Sequence, residues 1–192
     1  IRYRKAMIAT GASPMVPGIP GLRESEPLTS DTVWDLTKLP ERLVVIGGGA
    51  IGCELGQASS RLGSKVTLVE AAPRILSTLG KNVSELVMSR FEAEGMTVMP
   101  GTTVTGVEGS ATDGNLVVVV DHETRIAADQ VLVAVGRRPN TANLNLSAVG
   151  VELTERGHVK VDDRLETTND HIYAGGDVIG KMPFTHTAGM HG

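Results

Sequence analysis

The sequence has a single cysteine, Cys53, which excludes a disulfide within the chain and a redox-active cysteine pair in it. A cytoplasmic compartment agrees with that usage. No basic run exceeds two residues, as at Arg137–Arg138, and the formal net charge is −4. Charge therefore favours neither nucleic acid nor an anionic membrane as a partner. Apolar runs stop at five residues, as in Leu116–Val120. That is strand length, far short of the roughly 20 residues that span a bilayer. The five histidines, at 122, 158, 171, 186 and 191, show no zinc-ligand spacing, and no Ser/His/Asp motif occurs. Neither a metal site nor a hydrolase site is expected. Aromatics are scarce, whereas glycine is abundant at 23 of 192 residues. Turns that admit a cofactor backbone-first use glycine in this way.

The chain opens at Ile1 on the approach to a strand at 6–9 and stops at Gly192 in what reads as the first turn of a helix. The expectation is an internal piece of a longer polypeptide. Residues 12–40 carry Pro14, Pro17, Pro20, Pro27 and Pro40 and should form turns and surface connection. A new unit begins near Glu41.

Leu43–Ile46 is a wholly apolar strand candidate, the kind buried on both faces of a parallel sheet. Glycines follow at 47–49, and then Ile51, Leu55, Ala58 and Leu62 recur on one face of a helical period that Gly63 ends. Val66–Val69 is the second strand, closed by Glu70. Strand, glycine turn, helix and strand make a βαβ unit. A second helix is expected over about 82–94, with Asn82 and Glu85 as a capping pair and Val83, Leu86, Val87 and Phe91 as its apolar face. Met96–Met99 is a third strand. Thr102–Val107, Leu116–Val120 and Thr124–Ala127 then read as an antiparallel meander, and Val131–Val135 as a returning buried strand. Short strands at 158–162 and 171–174 complete the reading. Ala9-Thr10-Gly11 before the unit and Val133–Gly136 after it both end a strand in glycine, as an inserted domain would require. Buried strands often end that way, so an ordinary repeat of the pattern is the competing explanation.

Gly47-Gly48-Gly49-Ala50-Ile51-Gly52 satisfies G-x-G-x-x-G directly after an apolar strand and at the head of a helix. Gly47 permits the tight turn, Gly49 keeps side chains away from a diphosphate, and Gly52 lets the helix pack close. The diphosphate would lie at the helix N-terminus beside Ala50 and Ile51, where unpaired N–H groups and the positive dipole end meet it. A glycine turn without a ligand is the plainer alternative. Glu70, 18 residues after Gly52, is placed to accept both adenosine ribose hydroxyls and to repel a 2′-phosphate, so NAD(H) is expected over NADP(H). A solvated turn carboxylate is the alternative there. Glu54 is read in the first turn of the fingerprint helix, where a carboxylate gains from the dipole with or without a ligand. Cys53 is read as a small core residue.

Four ordered motifs make the chain recognisable. They are Ala9-Thr10-Gly11, Leu39–Leu76 around the fingerprint and Cys53-Glu54, Val135-Gly136-Arg137-Arg138-Pro139-Asn140, and Tyr173-Ala174-Gly175-Gly176-Asp177. Over essentially its whole length the chain resembles the FAD-dependent pyridine nucleotide–disulfide oxidoreductases, the group of dihydrolipoamide dehydrogenase and mercuric reductase. The resemblance implies an α/β fold. A Rossmann-like NAD(H)-binding domain at 41–136, with a parallel sheet and a three-stranded antiparallel meander, would be flanked by partial FAD-domain segments at 1–40 and 137–192. It implies that Thr10 and Gly11 lie near FAD and that Glu54 contacts the nicotinamide end of NAD. Val104 and Gly136 would line the NAD cleft. Asp177 would hold the flavin ribityl chain, with Phe184, Thr185 and His186 under the isoalloxazine. The family's N-terminal FAD fingerprint, its close cysteine pair and its C-terminal dimerisation domain are not in this sequence. The expected parent is a homodimeric enzyme passing hydride between nicotinamide and FAD, and this polypeptide alone is expected to show no turnover. A flavin reductase without the disulfide, of ferredoxin-reductase or NADH-oxidase type, and a non-catalytic nucleotide-binding module remain as alternatives.

Overall fold

A computed structural model describes residues 3–112, 114–181 and 184–191. The chain divides into two compact units. One comprises the residues up to Ser13 together with those from Arg137 onward, and the other is Pro14–Gly136. Two short strands come first, β1 (Ala6–Ile8) and β2 (Ala12–Pro14).

In the Pro14–Gly136 unit, β3 (Arg42–Ile46) leads through α1 (Ala50–Leu62) to β4 (Lys65–Glu70), and α2 (Lys81–Ala93) leads to β5 (Thr97–Pro100). An antiparallel meander follows, made of β6 (Val104–Glu108), β7 (Leu116–Val120) and β8 (Thr124–Ala128). The chain then returns as β9 (Gln130–Val133) to a four-stranded parallel sheet ordered β5-β4-β3-β9. This is the Rossmann-like α/β architecture with a separate three-stranded meander that the sequence predicts.

Side chains alternate across β3, and each face has its own core. Val44 and Ile46, with Val69, Val131 and Val133, pack against Val104, Val107, Leu116, Val118 and Val120 of the meander. Leu43 and Val45, with Val66, Leu68 and Leu132, pack against Cys53, Ile75, Phe91 and Met96 on the helix side. Burial of each such aliphatic side chain contributes about 1.5–3 kcal/mol, which is why three layers form around one sheet. Although rich in proline, the stretch before β3 joins this core. Leu22 is fully buried in the meander-side cluster. Leu28 takes its place beside β9, its N–H donating to Val131 O and its carbonyl accepting from Val133 N–H, each at 2.8 Å.

Both helices depart from the faces that periodicity predicts. α1 buries Gly52, Cys53 and Gly56, whereas Ile51 and Leu55 are half-buried, Ala58 is exposed and Leu62 is 73% exposed. A Cβ on Gly56 would touch Met96 Cε at 3.4 Å and Val45 Cγ2 at 3.5 Å, so the helix sits on the sheet through its small residues. Hydrophobic periodicity cannot register a contact made by glycine. α2 begins one residue earlier than expected, with Gly80 at the N-cap and no side-chain cap, so Asn82 and Glu85 form no capping pair. Glu85 instead pairs with Lys81 at 3.4 Å. The buried residues of α2 are Ser84 and Phe91, and Val83 and Leu86 are exposed. Ser84 is held there because its hydroxyl donates to Ile75 O at 2.7 Å. Gly95, with φ +86°, stands just past the end of the helix as expected.

In the other unit, β1 pairs in parallel with β11 (Ile172–Ala174), Ala6 opposite Ile172 and Ile8 opposite Ala174, and β2 pairs with β10 (Arg137–Pro139). Their core is Leu146, Val151, Val159, Ile172, Ala174, Val178 and Ile179. Residues 158–162 form only an isolated bridge, Leu153 with Val159, rather than the strand expected. A 3-10 turn, Gly176–Ile179, and the short helix α3 (Thr185–His191) close the described chain. Among the described residues no helix is long and apolar enough to cross a membrane.

Candidate nucleotide and flavin sites

The glycine turn between β3 and α1 shows why each glycine is needed. Gly47 has φ +108°, and a Cβ there would lie 2.5 Å from Ala134 O. A Cβ on Gly52 would lie 1.9 Å from Gly47 O, so no larger residue lets α1 start this close to the strand. Gly49 differs. Its backbone is extended, and among the described residues nothing lies within 4 Å of where its Cβ would be. The turn is closed on two sides and open on the third.

Gly49 is also the N-cap of α1 and brings no side-chain acceptor. The N–H groups of Ala50 and Ile51, the first helical residues, have no partner within the helix. The helix thus offers donors and the positive end of its dipole where the turn is open. Glu70, at the end of β4, reaches the same turn. Its Oε2 accepts from Gly48 N–H at 2.5 Å and its Oε1 from Ala72 N–H at 2.6 Å. An ionised carboxylate has about four acceptor positions, so two remain for hydroxyl donors. The residues present therefore suit a dinucleotide: a bare turn, helix donors with no intrahelical partner and a carboxylate with spare acceptor capacity.

The remaining predicted residues of this unit are placed less directly. Glu54 is exposed, and α1 starts at Ala50 with no acidic residue in its first turn. Glu54 is thus at the start of the second turn, and the dipole benefit expected for it is mostly lost, because that effect fades within one turn. Val104 is 7% exposed and lies opposite Val120 in the meander-side core. Gly136 has φ +142° with no described atom within 4 Å of a Cβ, and its carbonyl accepts from Met15 N–H at 3.0 Å. Cys53 is buried, with Sγ 3.5 Å from Gly48 O. Burial, and then the charges of Glu70 and Glu54, push its thiol up to about 11, so it is an inert core residue.

In the other unit, Thr10 and Gly11 lie in the link between β1 and β2, where Gly11 has φ +69° and, among the described residues, nothing within 4 Å of where a Cβ would be. Asp177 sits in the turn Gly176–Ile179 with Oδ2 3.6 Å from Arg137 Nε. The Arg137 guanidinium also donates to Ala12 O. Gly176 N–H donates to His191 Nδ1 at 3.0 Å. Phe184 and His186 stack with ring centroids 5.3 Å apart and planes 8° from parallel, with Thr185 between them at the start of α3. All three are exposed.

Three residues escape the sequence reading. Gly48 supplies the N–H that meets Glu70, Arg137 meets Asp177, and Asn140 binds the Thr10–Gly11 link. All three stand in motifs, Gly47–Gly52 and Val135–Asn140, but nothing local to either announces partners 22 or more residues away.

The family model for pyridine nucleotide-disulphide oxidoreductases matches residues 1–192. Among similar proteins, a mercuric reductase of Staphylococcus aureus is 40% identical over 193 residues, covering 100% of this chain and 35% of its own length. A dihydrolipoyl dehydrogenase of Thermus scotoductus is 40% identical over 198 residues, covering 97% of this chain and 41% of its own. Of solved structures, the HOCl-induced flavoprotein disulfide reductase RclA of Escherichia coli, as a Cu(II) complex, superposes with a TM-score of 0.92. It is 34% identical over 100% of this chain and 44% of that one. The chain thus spans less than half the length of these relatives. With its full length matched, the chain belongs to the pyridine nucleotide-disulphide oxidoreductase family.

Proposed function

We propose that this chain carries the NAD(H) site of a flavoprotein oxidoreductase, whose full polypeptide passes hydride between nicotinamide and FAD. Residues 41–136 are the NAD(H)-binding domain, into whose core Leu22 and Leu28 of the preceding connection pack, and 1–40 and 137–192 otherwise supply that connection and parts of the FAD-binding domain. The observation that carries this reading is the open face of Gly49 at an uncapped helix start, with Glu70 bonded to the same turn. Gly47, Gly49, Ala50, Ile51 and Gly52 hold the diphosphate, and Glu70 accepts the adenosine ribose hydroxyls. A 2′-phosphate would meet the Glu70 carboxylate with like charge, which favours NAD(H) over NADP(H). Glu54, Val104 and Gly136 face the nicotinamide half.

On the flavin side, Thr10, Gly11 and Asp177 contact FAD, with Phe184, Thr185 and His186 beside its ring. FAD, when bound, supplies the hydride acceptor. The cytoplasmic parent is a homodimer in this reading, and the chain by itself does not turn over. Titration of the chain with NADH and NADPH, an absorbance scan for flavin and an NADH–acceptor assay test it. Saturable NADH binding with weaker NADPH binding is expected. Absence of saturable NADH binding up to millimolar overturns the nucleotide site, and steady turnover by the chain alone overturns its inactivity.

A further inference from the structure

Asn140 follows β10 and makes four hydrogen bonds to the segment Thr10–Ser13, which lies about 130 positions earlier in the chain. Its backbone N–H donates to Gly11 O at 2.9 Å. Its side-chain Nδ2 donates to Thr10 O at 2.9 Å. Its Oδ1 accepts from the Ser13 hydroxyl at 2.9 Å, and its backbone carbonyl accepts from the Thr10 hydroxyl at 2.7 Å. A carboxamide presents a donor and an acceptor from one short planar group whatever the pH. Ser13 and the Thr10 carbonyl together settle which end of that amide points where.

What this bracing controls is the Thr10–Gly11 link between β1 and β2. Gly11 sits at φ +69° with nothing described within 4 Å of its missing Cβ. Glycine has the widest choice of backbone conformation, so a defined path there must be imposed by its partners. The donors and acceptors involved are exposed, and each such bond contributes only about 0.5–1.5 kcal/mol net because water competes. Their joint effect therefore falls on the conformation of the link more than on the stability of the unit.

We propose that Asn140 is a positioning residue that holds the Thr10–Gly11 link in the shape that receives FAD. This rests on the reading above that Thr10 and Gly11 contact the flavin nucleotide. Asn140 itself touches neither flavin nor nicotinamide in this scheme; it acts through the link.

The test uses the intact parent enzyme with Asn140→Asp and, separately, Ser13→Ala. An ionised carboxylate keeps the Ser13 bond but confronts the Thr10 carbonyl without a proton to give. Protonated, it can donate to that carbonyl again. At pH 8, Asn140→Asp should weaken FAD binding about tenfold relative to wild type, read by flavin fluorescence on release. That ratio should shrink as the pH is lowered towards the carboxyl range, about 4. NADH affinity should stay within about twofold, and Ser13→Ala should weaken FAD binding by a smaller factor, about threefold. A ratio that does not change with pH, an equal loss of NADH affinity, or wild-type FAD affinity in Asn140→Asp overturns the assignment while leaving the flavin reading intact. If wild-type parent enzyme binds NADH but no FAD, the flavin reading itself fails and takes this inference with it.

Discussion

The backbone N–H of Gly48 donates to Glu70 Oε2 at 2.5 Å, so the carboxylate that ends β4 holds the glycine turn that ends β3. One side chain thereby shapes the turn and stands ready at its mouth. Glu70→Gln turns an N–H₂ towards one of the two backbone N–H groups that Glu70 now accepts. We expect NADH affinity to fall at least about tenfold and stability by about 1–3 kcal/mol. Fluorescence titration with NADH and a urea melt check both. Wild-type NADH affinity in this variant would show that Glu70 is not a ligand.

Two alanine substitutions in the turn should separate folding from binding. Gly52→Ala puts a methyl 1.9 Å from Gly47 O and should destabilise the unit by about 3 kcal/mol or more. Gly49→Ala meets nothing within 4 Å, on a backbone that any residue adopts. Its stability should fall by no more than about 1 kcal/mol, the cost of alanine at an N-cap, while NADH affinity falls about tenfold because the methyl occupies the open face. Paired melts and titrations read the contrast. Equal NADH affinity in Gly49→Ala would mean that no ligand approaches that face.

Glu94 gathers Arg61, Gln57 and Arg90 around one carboxylate. Hydrogen bonds from Arg61 and then Gln57 hold its pKa down to about 2, against 4.5 for a free glutamate. A carboxyl lowered by folding contributes stability that is complete above 4.5 and is lost as the pH falls from there towards 2. Denaturant melts of wild type and Glu94→Gln between pH 2 and 7 should therefore differ at neutral pH and converge at the acid end. Parallel curves would contradict the linkage.

Cys53 should be silent in the native protein. With its thiol pushed up to about 11 and its side chain buried, it should resist alkylation at pH 8 and react fully once the chain is unfolded. Because folding raises this pKa above its ordinary value of 9.0, its contribution to stability is intact below 9 and declines as the pH rises towards 11. Rapid native labelling by an alkylating reagent, followed by mass spectrometry, would show the site to be open.

The chemistry of local turns was readable from sequence because it is local physics. Gly47, Gly49 and Gly52 follow an apolar strand at the head of a helix, and in the structure Gly47 and Gly52 leave no room for a Cβ while Gly49 faces open space among the described residues. The strands Leu43–Ile46, Val66–Val69 and Leu116–Val120 were equally plain, since buried β-branched runs have few other uses. Helix faces were not. Ala58 and Leu62 carry the periodic signal of α1 but lie in solvent, whereas Gly52 and Gly56, which have no side chains to score, make its contact with the sheet. In α2, Ser84 is buried in place of Val83 because Ile75 O, on another segment, accepts its hydroxyl.

By itself, then, the sequence determined the α/β class, the fingerprint turn, the carboxylate after the second strand and the order of the motifs. All of these depend on neighbours within a few residues or on a short repeating period. Tertiary structure alone decided that Glu70 bonds to Gly48, that Arg137 meets Asp177 and that Asn140 braces Thr10 and Gly11. It also decided that Leu22 and Leu28, from a proline-rich stretch, belong to the core of the Pro14–Gly136 unit. The reason is separation along the chain. A hydrogen bond between residues 22 or 130 positions apart leaves no periodic trace, and forms only where the packing of sheets and helices has already brought its two ends together.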